Sequence, residues 1–393
     1  MSRTLRTQVG IVGAGPAGLL LAHLLRQRGI DSVILETRSR ERVEARVRAG
    51  QLDSTTVQIL TAAGVGSRMQ AEGVPNSGVN FYFRGNTHRI DLRAVSGRTL
   101  MMYGQREIVR DMVAGLLAVD GKILFEVTDV ELHGIDGRTP SITFHSAGQD
   151  MALECEFIVG CDGYHGICRP AIAPALSTFD VAHGFSWVAV LAQTKPVAEE
   201  VVYACHDRGL ALFSLRSRAV ARFYLQCPQE EQLDAWPVDR IWDEARLRLE
   251  GGAFVLEPGP ILESSMVRMR SFVAEPMQHG RLFLAGDAAH IVPPSAAKGL
   301  NLAVADVYQL AQALQERYRS GDASLLRDYS RIALERVWEG QRFSDWMTRL
   351  LHTNINGSAM DRRIQLAELD HLMATQAALG NFVESYVGPK MSC

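Results

Sequence analysis

The chain has 393 residues, 47% hydrophobic and 22% charged, an ordinary globular mixture that excludes intrinsic disorder and collagen-like repetition. Its 41 Lys and Arg against 44 Asp and Glu give a net charge of −3, so no basic surplus points to nucleic acid or an anionic membrane. At roughly 100–200 residues per domain the length suits two or three folded units.

Gln8 to Val12 is a short apolar run of strand type, followed by Gly13-Ala14-Gly15-Pro16-Ala17-Gly18. Leu19 to Arg28 carries helix formers and Gly29 is a natural stop, after which Asp31 to Glu36 reads as a second buried strand ending in an acid. This is strand–turn–helix–strand with G-x-G-x-x-G in the turn. Gly13 permits the tight turn, Gly15 lets the backbone approach a pyrophosphate, and Gly18 lets helix and strand pack closely. The helix N-terminus offers unpaired N–H groups to phosphates, and Glu36 would accept from a ribose. A bare glycine turn is the plainer alternative, but strand, helix and acid in register favour a dinucleotide, with FAD and NAD both open. Arg3 and Arg6 ahead of the apolar Val9–Leu25 imitate a signal peptide, yet the glycines have this better use, and no apolar run reaches a membrane span. A soluble, cytoplasmic protein is expected. Cys155, Cys161, Cys168, Cys205, Cys227 and Cys393 form no C-x-x-C pair and no zinc spacing, so reduced thiols and no metal are expected.

Phe157 to Gly163 is another apolar strand, delivering Asp162-Gly163. Arg281 to His290 repeats the idea, delivering Gly286-Asp287 ahead of Pro293-Pro294, Gly299 and an apolar helix from Leu300. Alone, each Gly/Asp pair is more often a turn than a ligand site. The three motifs together resemble the FAD-dependent aromatic hydroxylases (group A flavoprotein monooxygenases). The resemblance implies that Asp287 contacts the FAD ribose and that the backbone at Leu300-Asn301 faces the flavin ring, where a helix N-terminus would favour the negative charge of a reduced flavin.

Between Phe185 and Arg270 the chain turns β-rich, with Val201-Val202-Tyr203, Leu210 to Arg216 and Arg222 to Gln226 as successive antiparallel strands. Residues i and i+2 share a face, so Ser214 points with Arg216 and Arg222 with Tyr224. The short Ser217–Ala221 connection makes one surface of both. It holds a guanidinium fork, a hydroxyl and a phenol, a set that binds a carboxylate; a solvated outer sheet face is the alternative. Here the resemblance tightens to the branch of the family that acts on 4-hydroxybenzoate. Tyr203, Ser214-Leu215-Arg216, Arg222, Tyr224, Pro294, Lys298, Asn301, Tyr386, Arg46-Val47-Arg48-Ala49-Gly50, Tyr103-Gly104-Gln105 and Trp187 all match, from about residue 8 to 388.

The resemblance implies an α/β fold: a Rossmann-like FAD domain of aromatic-hydroxylase type (1–75, 99–180 and 270–350), an inserted mixed β-sheet substrate domain (76–98 and 181–269) and a helical C-terminal region (351–393). It implies an NAD(P)H- and O2-dependent monooxygenase that makes 3,4-dihydroxybenzoate (protocatechuate) through a flavin hydroperoxide, and a homodimer. Gly13, Gly15, Ala17, Gly18, Glu36, Arg46 to Gln51, Gln105, Asp162, Asp287, Leu300 and Asn301 would hold FAD. Ser214, Leu215, Arg216 and Tyr224 would hold the substrate. Tyr203, with Tyr386 behind it and the Pro294 carbonyl beside it, would take the phenol proton. Arg222, Lys298 and Asn301 would position the flavin, and Arg38, Arg40, Arg42 and Arg46 would meet NADPH, with NADH as the alternative donor. Three departures stand out: Asn76 occupies the place of a His that ends the family's proton relay, Gln51 that of an aliphatic residue, and Thr37-Arg38-Ser39-Arg40-Glu41-Arg42 stands where the family's NADPH-selective segment often carries an Arg and, a few residues on, a Tyr. The alternatives are a sister hydroxylase of 4-aminobenzoate or 3,4-dihydroxybenzoate, an FAD reductase without oxygenase activity, and a flavin-binding sensor.

Overall fold

The computed structural model of the protein describes residues 3–46, 50–354 and 357–388. The N-terminal motif folds as its spacing predicts: strand Val9–Val12, helix Pro16–Gln27 and strand Ser32–Leu35. Pro16 starts the helix with its fixed φ, and Gly29 at φ +68° lets the chain leave it. Ala17 to Leu25 are all buried, because this helix is covered on every side.

The two strands are central in a six-stranded sheet ordered Gln278–His279, Leu282–Leu284, Phe157–Gly160, Val9–Val12, Ser32–Leu35, Lys122–Leu124. The last five run parallel and Gln278–His279 closes one edge antiparallel. All three acid-bearing turns therefore leave the same, C-terminal, edge, which is where open parallel sheets bind ligands.

The second large sheet has eight strands: His290–Ile291, Ile261–Glu275, Ser177–Ala192, Val220–Pro228, Gly209–Ser217, Val201–His206, Gly78–Phe83 and Asn86–Asp91. It is antiparallel except where Val201–His206 runs parallel to Gly78–Phe83. Ser217 pairs with Val220, so the connection closes over two residues, tighter than the five-residue link read from the sequence. A three-stranded sheet of Gln51–Leu52, Leu100–Met102 and Val74–Asn76 and a four-stranded sheet built on Arg3–Arg6 complete the β-structure among the described residues.

Helix Gly299–Ser320 begins at the cavity and ends on Gly321 at φ +82°. Ala297, at φ +51°, turns the chain from Pro294–Ala296 into it, a strained conformation for a residue with a Cβ. Helices Ser324–Leu351, Ala359–Ala374 and Gln376–Val387 then cross back, so that Phe343, Met347, Phe382, Val383 and Tyr386 share one core with Phe81, Trp187 and Tyr203 of the eight-stranded sheet. Along helix Ala359–Ala374, Leu369 and Leu372 are buried, whereas Ile364 is 54% exposed. No helix among the described residues is long and apolar enough to cross a membrane, and no group of His, Cys, Asp and Glu among them could hold a metal.

Candidate active site

A cavity of about 1180 Å³ lies between the C-terminal edge of the six-stranded sheet and one face of the eight-stranded sheet. That exceeds the usual range for one drug-sized ligand and leaves room for a dinucleotide beside a second molecule. Gly13, Gly15, Ala17, Glu36, Arg46, Gln51, Gln105, Asp162, Asp287 and Leu300 line it.

The glycines divide the labour as the chemistry demands. Gly13 sits at φ +103°, and a Cβ there would lie 2.5 Å from the Cys161 carbonyl oxygen. A Cβ on Gly18 would lie 2.1 Å from the Gly13 carbonyl oxygen, so helix and turn touch there. At Gly15 a Cβ would meet nothing nearer than 3.9 Å and would stand in the cavity. That is a cradle for a pyrophosphate, at the N-terminus of a helix whose first amides are unpaired. The Glu36 carboxylate accepts from Ala14 N–H at 2.7 Å and Arg38 N–H at 2.9 Å, which ties the acid to the glycine turn. Asp162 accepts from Cys168 N–H at 2.9 Å through Oδ2, while Oδ1 is buried without a partner and burial raises the carboxyl's pKa. Such an unsatisfied acceptor on a cavity wall suits a ligand hydroxyl. These residues fit FAD.

Gly50, Asn301 and Lys298 stand behind the cavity wall and act indirectly. Gly50 packs under Tyr103, where a Cβ would come within 1.9 Å of the carbonyl oxygen. The Asn301 side chain accepts from Asp53 N–H at 3.1 Å and donates to the carbonyls of Gln51 at 3.2 Å and Ala297 at 2.9 Å; it clamps the Gln51–Asp53 segment to the helix start. Val47, Arg48 and Ala49 lie outside the described residues. The Lys298 ammonium donates to the Tyr386 carbonyl at 3.0 Å, and burial pushes its pKa down to about 8.

On the sheet face, Ser214 opposes Arg222, Leu212 opposes Tyr224, and Tyr203 opposes Leu212. Cross-strand partners share a face, so these side chains form one surface; Arg216 is the extra residue at the register shift between Leu215 and Ser217 and joins that surface through its bond to Ser214. Arg216 donates to Ser214 Oγ at 3.2 Å, and Ser214 donates to the Arg222 carbonyl at 3.2 Å. Arg222 is 3% exposed, its nearest carboxylate is Glu263 at 3.7 Å, and its guanidinium stands 5.3 Å over the Tyr224 ring. Arg216 Nε, Arg222 Nε and Arg222 Nη1 are all buried without a hydrogen-bond partner. Burial lowers the Arg216 pKa, and the neighbouring Arg222 charge adds to it. Two crowded guanidinium groups with unused N–H bonds await an anion.

Tyr203 and Tyr386 are 2% and 1% exposed, with hydroxyls 3.1 Å apart. Burial raises both pKa values, Tyr203 well above its usual range. Tyr203 donates to the carbonyl of Ser295 at 2.8 Å; the Pro294 carbonyl beside it accepts from Ala297 N–H at 3.0 Å, although Pro294 itself lines the cavity. Behind the pair stands Gln51, whose Oε1 accepts from the Tyr386 hydroxyl at 3.4 Å.

Sequence reasoning missed two groups. His352 stacks beside Trp187 and accepts from its indole N–H at 2.8 Å through Nε2, while Nδ1 donates to the Thr348 carbonyl at 2.8 Å. Burial pushes the His352 pKa down to about 3, so the ring stays a neutral acceptor and fixes Trp187 against Tyr224, 4.9 Å between centroids. His165, Arg268 and Arg270 line the cavity together with Arg38 and Arg46. Arg270 pairs with Asp180 at 3.2 Å and lies 4.6 Å over Tyr164. Among the expected nicotinamide residues, Arg40 is paired with Glu44 at 2.6 Å, and Arg42 is exposed on the same short helix, Arg40–Ala45, away from the cavity lining.

Residues 6–344 match the family model described as FAD binding domain. The chain belongs to the FAD-dependent aromatic hydroxylases, the group A flavoprotein monooxygenases. It is 42% identical over 389 residues to p-hydroxybenzoate hydroxylase of Acinetobacter baylyi, spanning 98% of this chain and 96% of that one. A 3-(3-hydroxy-phenyl)propionate/3-hydroxycinnamic acid hydroxylase of Burkholderia vietnamiensis is 26% identical over 319 residues, 78% of this chain and 56% of that protein. In fold, the crystal structure of p-nitrophenol 4-monooxygenase PnpA from Pseudomonas putida superposes with a TM-score of 0.83 at 20% identity, covering 99% of this chain and 100% of the other.

Proposed function

We propose that the protein hydroxylates 4-hydroxybenzoate at carbon 3, giving 3,4-dihydroxybenzoate. In the balanced reaction one oxygen atom of O2 enters the ring C–H bond and the other leaves as water. NAD(P)H supplies the hydride and solvent one proton. FAD, held by Gly13 to Gly18, Glu36, Asp162 and Asp287, supplies the carriage of these electrons to O2. The chain's own residues bind, orient and deprotonate. Arg216, Arg222 and Ser214 take the carboxylate, and the Tyr224 ring and Trp187 wall the aromatic nucleus. Tyr203 accepts the phenol proton while its own proton passes toward Tyr386, because a phenolate ring is a far better nucleophile than a phenol.

The carrying observation is the pair of neighbouring guanidinium groups with buried N–H bonds left unused, on the same sheet face as the buried Tyr203, which meets Tyr386. An acid receptor and a proton path match the two ends of a para-hydroxylated benzoate. Arg38, Arg46, His165, Arg268 and Arg270 on the cavity wall support NADPH, whose extra phosphate needs cations; the homodimer rests on the family resemblance. Ligand titration followed by the spectrum of bound FAD tests the reading. 4-Hydroxybenzoate should bind more than tenfold tighter than both phenol and benzoate, each of which lacks one end. Equal binding of all three, or tighter binding of 4-aminobenzoate, would overturn it.

A further inference from the structure

Resting on the phenol-hydroxylating reading above, we propose that Gln51 is the positioning residue that directs the Tyr386 hydroxyl, so that the substrate's proton leaves into the cavity and not toward Asn76. Gln51 is 8% exposed, yet its side chain meets both sides of the problem. Its Oε1 accepts from Tyr386, and the residue lines the cavity. Its backbone is pinned by Asn301, whose Nδ2 donates to the Gln51 carbonyl at 3.2 Å, and by the pairing of Gln51 with Met102. At 3.4 Å the contact with Tyr386 is long, as hydrogen bonds of a proton path often are before substrate tightens them.

Asn76 is built differently. It is 2% exposed, and its Oδ1 is spent on Gly78 N–H at 3.1 Å. Its Nδ2 is buried without a partner among the described residues, and an amide N–H can only donate. No hydrogen bond joins it to Tyr386, whose hydroxyl meets Tyr203 and Gln51 instead. The glutamine carbonyl accepts from that hydroxyl, and it holds the Tyr386 O–H bond in one direction. When the phenol ionises, its proton bonds to Tyr203, the Tyr203 proton to Tyr386, and the Tyr386 proton to cavity water beside Gln51. One proton is released for one phenolate formed, and the amide takes no charge. The amide itself does not titrate; of the charged groups around Tyr386, Lys298 bonds its carbonyl at 3.0 Å with a pKa pushed down to about 8, and Asp53, which faces Lys298, is raised by burial, so their titration is common to the wild type and the Gln51 variants.

The test is stopped-flow proton release into a pH-indicator dye when FAD-loaded protein is mixed with 4-hydroxybenzoate, without NADPH. Gln51→Leu should slow release at least tenfold with substrate Kd within about threefold. Asn76→Ala should leave the rate within about twofold. Gln51→Glu, of equal size, should release quickly and add a pH inflection that the wild type lacks. Equal rates in wild type and Gln51→Leu, or a Gln51→Glu profile without new inflection, overturn the assignment, as does slowing by Asn76→Ala alone. A wild type that binds no 4-hydroxybenzoate, or binds it without forming phenolate, overturns the substrate reading itself, and the direction of the relay falls with it.

Discussion

Removing one of the two crowded cations separates what they do for the fold from what they do for the ligand. Arg216→Met keeps an unbranched chain of similar reach and deletes the guanidinium. In the free protein Arg216 has a buried Nε with no partner and a neighbouring Arg222 charge, so its loss relieves desolvation and repulsion. The free protein should be as stable as the wild type or more so, by about 1 kcal/mol. With the acid bound the sign reverses. A hydrogen bond to a charged group contributes about 1.5–3 kcal/mol, and a carboxylate would lose one or two of them while Arg222 remains. Taking about 3 kcal/mol, Kd for 4-hydroxybenzoate should rise roughly 100-fold. Phenol, with no carboxylate, should bind as before. Titration of bound-FAD fluorescence and a melting curve measure both effects. A Kd within threefold of the wild type, or a drop in Tm accompanied by equal losses for phenol and the acid, would refute the reasoning.

Three other changes follow from the geometry. Tyr203→Phe should bind substrate within a few-fold but slow ring hydroxylation by about 10²–10⁴, the range of a lost general base; rapid-quench product formation checks it. Gly15→Ala should fold, since its Cβ has ordinary space, yet weaken FAD at least tenfold, whereas Gly18→Ala should not yield folded protein because its Cβ meets the Gly13 oxygen at 2.1 Å. Expression with FAD retention on desalting separates them. The His352 pKa of about 3 lies below the ordinary 6.5, so the unfolded state binds the extra proton between those values. Its contribution to stability is complete above pH 6.5 and is lost as pH falls toward 3. His352→Gln should flatten the acid limb of Tm measured from pH 4.5 to 7.

What could be read from the sequence was what local chemistry enforces. The Gly13–Gly18 turn, its flanking strands and the acid at 36 lie within one supersecondary unit, where each residue type has a steric or electrostatic reason. Arg222 with Tyr224 followed from strand alternation, whereas Arg216 meets Ser214 across a bulge that alternation does not foresee. Partners far along the chain carry no such period. Gln51 and Tyr386 are 335 residues apart, and only the crossing of the C-terminal helices over the three-stranded sheet brings them together. The place of Trp187 depends on His352, 165 residues later, and sequence offered no reason to single that histidine out. Tyr203 donates to the Ser295 carbonyl, 92 residues away, a contact that depends on how the Pro294–Ala296 turn lies against the sheet. His165, Arg268 and Arg270 belong to different elements, and only their common cavity unites them.

The most direct measurement is product stoichiometry with FAD-loaded protein, NADPH, air-saturated buffer and 4-hydroxybenzoate. One 3,4-dihydroxybenzoate for each NADPH consumed is the predicted result. NADPH oxidation that 4-hydroxybenzoate does not stimulate, or that ends in H2O2 with the substrate unchanged, would contradict it.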